Sequence, residues 1–118
     1  MDIRLDGKTA LITGGSEGLG LAMAHKFSQA GANVALLARD PNKLENAKEE
    51  ITSSVKGTQV RVEAFCCDVT DVNQIQEVWK ANSLLLGQVD ILVNNAGAHA
   101  TGPFLETTDE MWKADLDL

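Results

Sequence analysis

The chain contains no tyrosine, and aromatic residues make up only 4% of its 118 positions. No phenolic hydroxyl is therefore available within it for general acid catalysis. Cysteine is nearly as scarce: Cys66 and Cys67 are the two present. Adjacent residues of a strand point to opposite faces, so the pair suits neither a disulfide nor a metal site, and both are expected as buried thiols of a reducing compartment. The two histidines, His25 and His99, lack partners at metal-ligand spacing, and no metal is expected. No apolar run approaches the ~20 residues that span a bilayer, and residues 1–6 lack the apolar core of a signal peptide. A cytoplasmic protein without a membrane partner is expected. Positive charge is also short, with 10 basic against 17 acidic residues and a net charge of -7. That balance argues against nucleic acid as a partner, and an anionic ligand must be met by local positive features.

What is present is ordinary for a globular fold: 44% hydrophobic and 23% charged residues, over a length that fits one domain, residues 1–118. Short apolar runs alternate with longer segments of helical periodicity, the pattern of a parallel sheet wrapped by helices. The runs predict strands over residues 8–13, 33–38, 59–67 and 90–95. The first helix is expected over 18–30, with Leu19, Met23, Phe27 and Ala30 on one face and Gly31 as its stop. Asp40 caps the second helix, Pro41 takes its first position, and Leu44, Ala47 and Ile51 form its buried stripe. The third opens at Thr70 or Asp71, turns Val72, Ile75, Val78, Trp79 and Leu85 inward and ends near Gly87; a fourth opens around residues 107–110. The fold class is thus α/β, a Rossmann-like doubly wound parallel sheet of four strands in order 3-2-1-4 with helices on both faces. The fourth strand then forms an edge that something should cover.

The residues that carry chemistry begin at the first strand's end. Thr13, Gly14, Gly15, Ser16, Glu17, Gly18, Leu19 and Gly20 form a glycine-punctuated turn between a buried strand and a helix. Glycine there lets the backbone approach a pyrophosphate, and the helix N-terminus offers free N–H groups and positive potential. A dinucleotide site follows. Ser16 is equally suited to be a helix cap.

The spacing Thr-Gly-x-x-x-Gly-x-Gly, with Asp68 after the third strand and Asn94-Asn95-Ala96-Gly97 at the end of the fourth, resembles the short-chain dehydrogenase/reductase family. The resemblance covers essentially the whole chain and identifies it with the family's N-terminal, cofactor-binding part. It implies that Gly14, Ser16, Gly18 and Leu19 form the pyrophosphate turn, with Thr13 stabilising it and Gly20 permitting close helix packing. Asp68 and Val69 would hold the adenine and Asn95 the nicotinamide ribose. Asn94 would tie neighbouring strands, and Ala96 and Gly97 would keep the crevice floor small. At the end of the second strand an NAD site wants a carboxylate for the ribose hydroxyls. Ala38 stands there instead, followed by Arg39, whose guanidinium can pair with a 2'-phosphate. NADP is the expected cofactor and NAD the alternative, with Asp40 and Glu17 as opposing negative charges.

The family's catalytic Tyr-x-x-x-Lys is absent from these residues, as is its helical Asn, and Asp115 and Asp117 do not replace it. The expected activity is hydride transfer between NADP(H) and a small-molecule carbonyl or secondary alcohol, with no catalytic residue in this chain and no turnover by it alone. The full-length protein is expected as a homo-oligomer. The alternative is a nucleotide-binding module without catalysis.

Overall fold

A computed structural model describes residues 3–95; Ala96, Gly97, His99 and the expected fourth helix lie outside the described residues. Seven elements alternate along the chain: β1 (Thr9–Thr13), α1 (Gly18–Gln29), β2 (Asn33–Ala38), α2 (Pro41–Ser54), β3 (Val62–Cys66), α3 (Val72–Leu85) and β4 (Ile91–Asn94). All pairings are parallel and the sheet order is β3-β2-β1-β4, as the sequence predicts.

Every residue of β1 is buried because both faces of the strand are covered. Alternate side chains divide the core accordingly. Ala10, Ile12, Val34 and Leu36 pack with Ala24 of α1 and with Leu44, Ala47 and Ile51 of α2, while Leu11, Ala35 and Leu37 pack on the other face with Ile75 and Val78 of α3. Burying each such Leu or Ile stabilises by about 1.5–3 kcal/mol, so the central strand pair anchors the fold.

The caps show why the helices begin where they do. Asp40 accepts from the backbone N–H groups of Asn42 and Lys43, and Pro41 fills the first position of α2. Asp71, rather than Thr70, caps α3 through Asn73 and Gln74. The α2 stripe is the expected one.

Four expectations need correction. The buried face of α1 is Gly20, Ala24 and Ser28, with Leu21 and Phe27 partly buried beside it, whereas Leu19 is 65% exposed. A stripe of small residues at i, i+4 and i+8 brings the helix close to the sheet, and a Leu19 stripe would hold it away. In α3, Val72 and Leu85 are exposed near the helix ends, and the buried stripe runs through Ile75, Val78 and Asn82. β3 starts at Val62, not residue 59, because the Val60 and Arg61 N–H groups donate to the side chains of Thr58 and Asn33. Only one of the two cysteines is a buried thiol: Cys67 is, and Cys66 is exposed.

Candidate functional site

The sheet reverses its winding at β1, which has β2 on one side and β4 on the other, and the carboxyl ends of these strands open onto a crevice of about 500 Å³. Thr13, fully buried, organises the base of that crevice. Its Oγ1 accepts from the Asn95 N–H at 2.8 Å and lies 3.2 Å from Asn94 Oδ1 and 3.4 Å from the Val93 carbonyl oxygen. Asn94 is also Thr13's partner across the β1–β4 ladder, so the expected tie between strands is present.

Beyond Thr13 the chain turns sharply. Gly14 takes φ +65° and Gly18 φ +59°, both in the left-handed region that favours glycine. The N–H groups of Gly14 and Gly15 do not point into the crevice: both donate to the Leu37 carbonyl, at 2.8 and 3.4 Å, and strap the turn to β2. Gly15 is packed so closely that a Cβ would stand 2.9 Å from Leu36 Cδ2. Gly20 is tighter still, since a Cβ there would meet the Gly14 carbonyl and the Asn95 side-chain amide. Its hydrogen is what lets α1 enter against the turn.

The N-cap of α1 is Glu17, not Ser16, and it gives the helix no side-chain hydrogen bond. The other two helices are capped by aspartates. The first-turn N–H groups of a helix have no intrahelical acceptor, and at α1 no capping side chain supplies one. An acceptor from outside, preferably an anion, suits that end.

The opposite side of the crevice is made by the ends of β2 and β3. Arg39 is exposed and forms none of the ion pairs among the described residues. Asp40 lies beside it, but its Oδ1 is taken up by the α2 cap. Asp68 Oδ1 accepts from the hydroxyl and N–H of Thr70, at 2.7 and 3.0 Å, and these bonds, aided by the Arg39 charge, hold its carboxyl below the usual range. The Cys67 thiol also lines the crevice; burial, then the charges of Asp68 and Asp71, push it up to about 11, so it stays a protonated, unreactive wall.

Of the expected site residues, the fold brings Gly14, Ser16, Glu17, Arg39, Asp68, Val69 and Asn95 to this one crevice. Thr13, Gly15 and Gly20 shape it from beneath, Gly18 supplies the turn, and Leu19 points to solvent rather than into it. Lys43 and Thr70 are crevice residues the sequence did not single out. Lys43 Nζ lies 3.2 Å from Glu17 Oε2. Its position four residues after Arg39, in the first turn of a helix, was the available signal.

Known proteins resemble this chain in sequence and fold. A family model described as short chain dehydrogenase matches residues 8–118. The 2,3-dihydro-2,3-dihydroxybenzoate dehydrogenase of Bacillus subtilis is 37% identical over 114 residues, covering 97% of this chain and 42% of that protein. Among solved structures, the L-sorbose reductase of Gluconobacter frateurii complexed with NADPH and L-sorbose aligns at 36% identity with a TM-score of 0.76, covering 96% of this chain and 42% of its own. An NAD+-bound xylitol dehydrogenase aligns at 28% identity with a TM-score of 0.68, covering 74% of this chain and 32% of its own. The chain spans 36 to 43% of the length of three of the curated relatives it matches. In sequence and strand order alike, it belongs to the short-chain dehydrogenase family.

Proposed function

We propose that this chain is the dinucleotide-holding part of an NADP-preferring short-chain oxidoreductase, one that moves a hydride between the nicotinamide and a carbonyl or secondary alcohol. The observation that carries the reading is one crevice with complementary ends: the α1 N-terminus without a side-chain cap at one, and Arg39, outside the ion pairs of the described residues, at the other. Bound nicotinamide dinucleotide would supply the hydride chemistry, while the residues present hold and orient it. Ser16 and the first-turn N–H groups of α1 would take the pyrophosphate within the turn of Gly14, Ser16, Gly18 and Leu19, with Gly20 letting the helix pack close beneath it. Asp68 and Val69 would border the adenine and Asn95 the nicotinamide ribose, while Ala96 and Gly97 would keep the crevice floor small.

The two solved relatives carry different cofactors, so likeness alone does not choose between them. Arg39 supports NADP because a guanidinium can pair bidentately with a 2'-phosphate. Ala38 offers the adenosine ribose no carboxylate, and Asp40 spends an oxygen on its helix. For substrate we infer a small ketone or alcohol, such as a 3-oxoacyl, steroid-like or sugar-like compound. Homo-oligomer formation by the full-length protein belongs to the same proposal; among the described residues β4 pairs only with β1, and that edge would be covered by another strand, another chain or further sequence.

A second reading, a nucleotide-holding module without turnover, is favoured for these 118 residues by the absence of tyrosine. Reduction of a broad ketone panel with NADPH separates the two. We expect no turnover by this chain and measurable turnover by a version extended through a Tyr-x-x-x-Lys segment. Turnover by the chain alone would refute the need for that segment, and none by either version would favour the module.

A further inference from the structure

Glu17 and Lys43 meet across the mouth of the crevice. Glu17 comes from the turn before α1 and Lys43 from the first turn of α2, and both line the cavity that also contains Arg39. The Lys43 backbone is fixed, because its N–H donates to Asp40 Oδ1 at 3.2 Å, so its side chain springs from a defined point beside Arg39. Its ammonium lies 3.2 Å from Glu17 Oε2, with the two side chains 54% and 69% exposed. An ion pair so exposed is weak in water and readily exchanged. A phosphate dianion offers Lys43 more charge and more acceptor oxygens than one carboxylate does.

We propose that Lys43 is a second specificity-determining cation for the 2'-phosphate, and that Glu17 masks it until nucleotide arrives. This rests on the NADP reading above. Binding exchanges the Glu17–Lys43 pair for a phosphate–Lys43 contact beside Arg39. Glu17 therefore lowers NADP affinity by competing for Lys43, and its cost disappears when Lys43 is removed. The arrangement also accounts for an acidic residue at the mouth of a site that is to accept an anion: its charge is met locally by the same lysine.

The test is a double-substitution cycle on this 118-residue chain, with NADP+ and NAD+ titrated calorimetrically against the unaltered chain, Lys43→Ala, Glu17→Gln and the double variant. Circular dichroism melts check that each is folded. Lys43→Ala should weaken NADP+ binding about 5-fold or more and leave NAD+ within about 2-fold. Glu17→Gln should tighten NADP+ binding about 3-fold in the parent background and have no such effect in the Lys43→Ala background. Lys48→Ala, on the same helix and with the same change in net charge, should leave NADP+ binding unmoved. An equal gain from Glu17→Gln with or without Lys43 would show a diffuse charge effect and overturn the exchange. NADP+ preference that survives Lys43→Ala but falls with Arg39→Ala would overturn this inference alone. Failure of the unaltered chain to bind either nucleotide would overturn the reading beneath it.

Discussion

Replacing Arg39 with alanine is expected to weaken NADP+ binding by about 1–3 kcal/mol, roughly 5- to 150-fold, and to leave NAD+ binding almost unchanged. The selectivity follows from where the charge stands. Arg39 is exposed at the end of β2, outside the ion pairs of the described residues, so removing it opens no cavity and orphans no buried partner. The loss should therefore track the one phosphate that distinguishes the nucleotides. It should also shrink as ionic strength rises, because an exposed charge pair is screened over about 8–10 Å in ordinary buffers. Paired titrations at low and high salt check both points, and equal losses for the two nucleotides would defeat the NADP assignment.

Replacing Gly20 with alanine should damage fold and site together. Propensity alone predicts the opposite sign, since alanine in a helix interior is favoured over glycine by about 1 kcal/mol. The geometry overrides it. The new methyl would fall on the Gly14 carbonyl and the Asn95 side-chain amide, and that carbonyl belongs to a turn strapped to β2 through the Gly14 and Gly15 N–H groups, so it cannot rotate away. Forcing an extra carbon into a packed site costs about 1–3 kcal/mol, occasionally more. We expect a net loss of stability in a thermal melt and loss of nucleotide binding even below the transition. Gly57→Ala is the control: a Cβ there meets nothing within 4 Å, so only the left-handed backbone at φ +86° resists it, about 1–2 kcal/mol, with nucleotide binding retained. A Gly20→Ala chain that melts higher and binds as before would show that the close approach of α1 is not required.

Those two positions also mark how far the sequence is informative. Strand order and the crevice at the ends of β1 and β4 follow from alternating periods, and the glycine spacing locates the turn, because glycine has few other reasons to recur there. The Asp40-Pro41 cap was legible for the same reason. The α1 face was not, since Leu19, Leu21, Met23, Ala24 and Phe27 surround the helix and allow more than one phase. The small stripe Gly20, Ala24 and Ser28 wins because of the sheet's closeness, a tertiary fact. Asn82 escaped notice because a polar residue is expected outside; its amide Nδ2 is 3.5 Å from the Gly87 carbonyl, a long contact at best. The straps from Gly14 and Gly15 to Leu37, and the meeting of Glu17 with Lys43, join residues 22 to 26 positions apart and leave no local trace. Local pattern thus reports the elements, while the electrostatics of the site arise from their assembly.

Calorimetric titration of the unaltered chain with NADP+ and with NAD+, side by side at low salt, tests the central claim most directly. The account predicts one saturable site, tighter for NADP+ by about tenfold, an advantage that fades as salt is raised. Equal affinities, a preference for NAD+, or no binding of either nucleotide would contradict it.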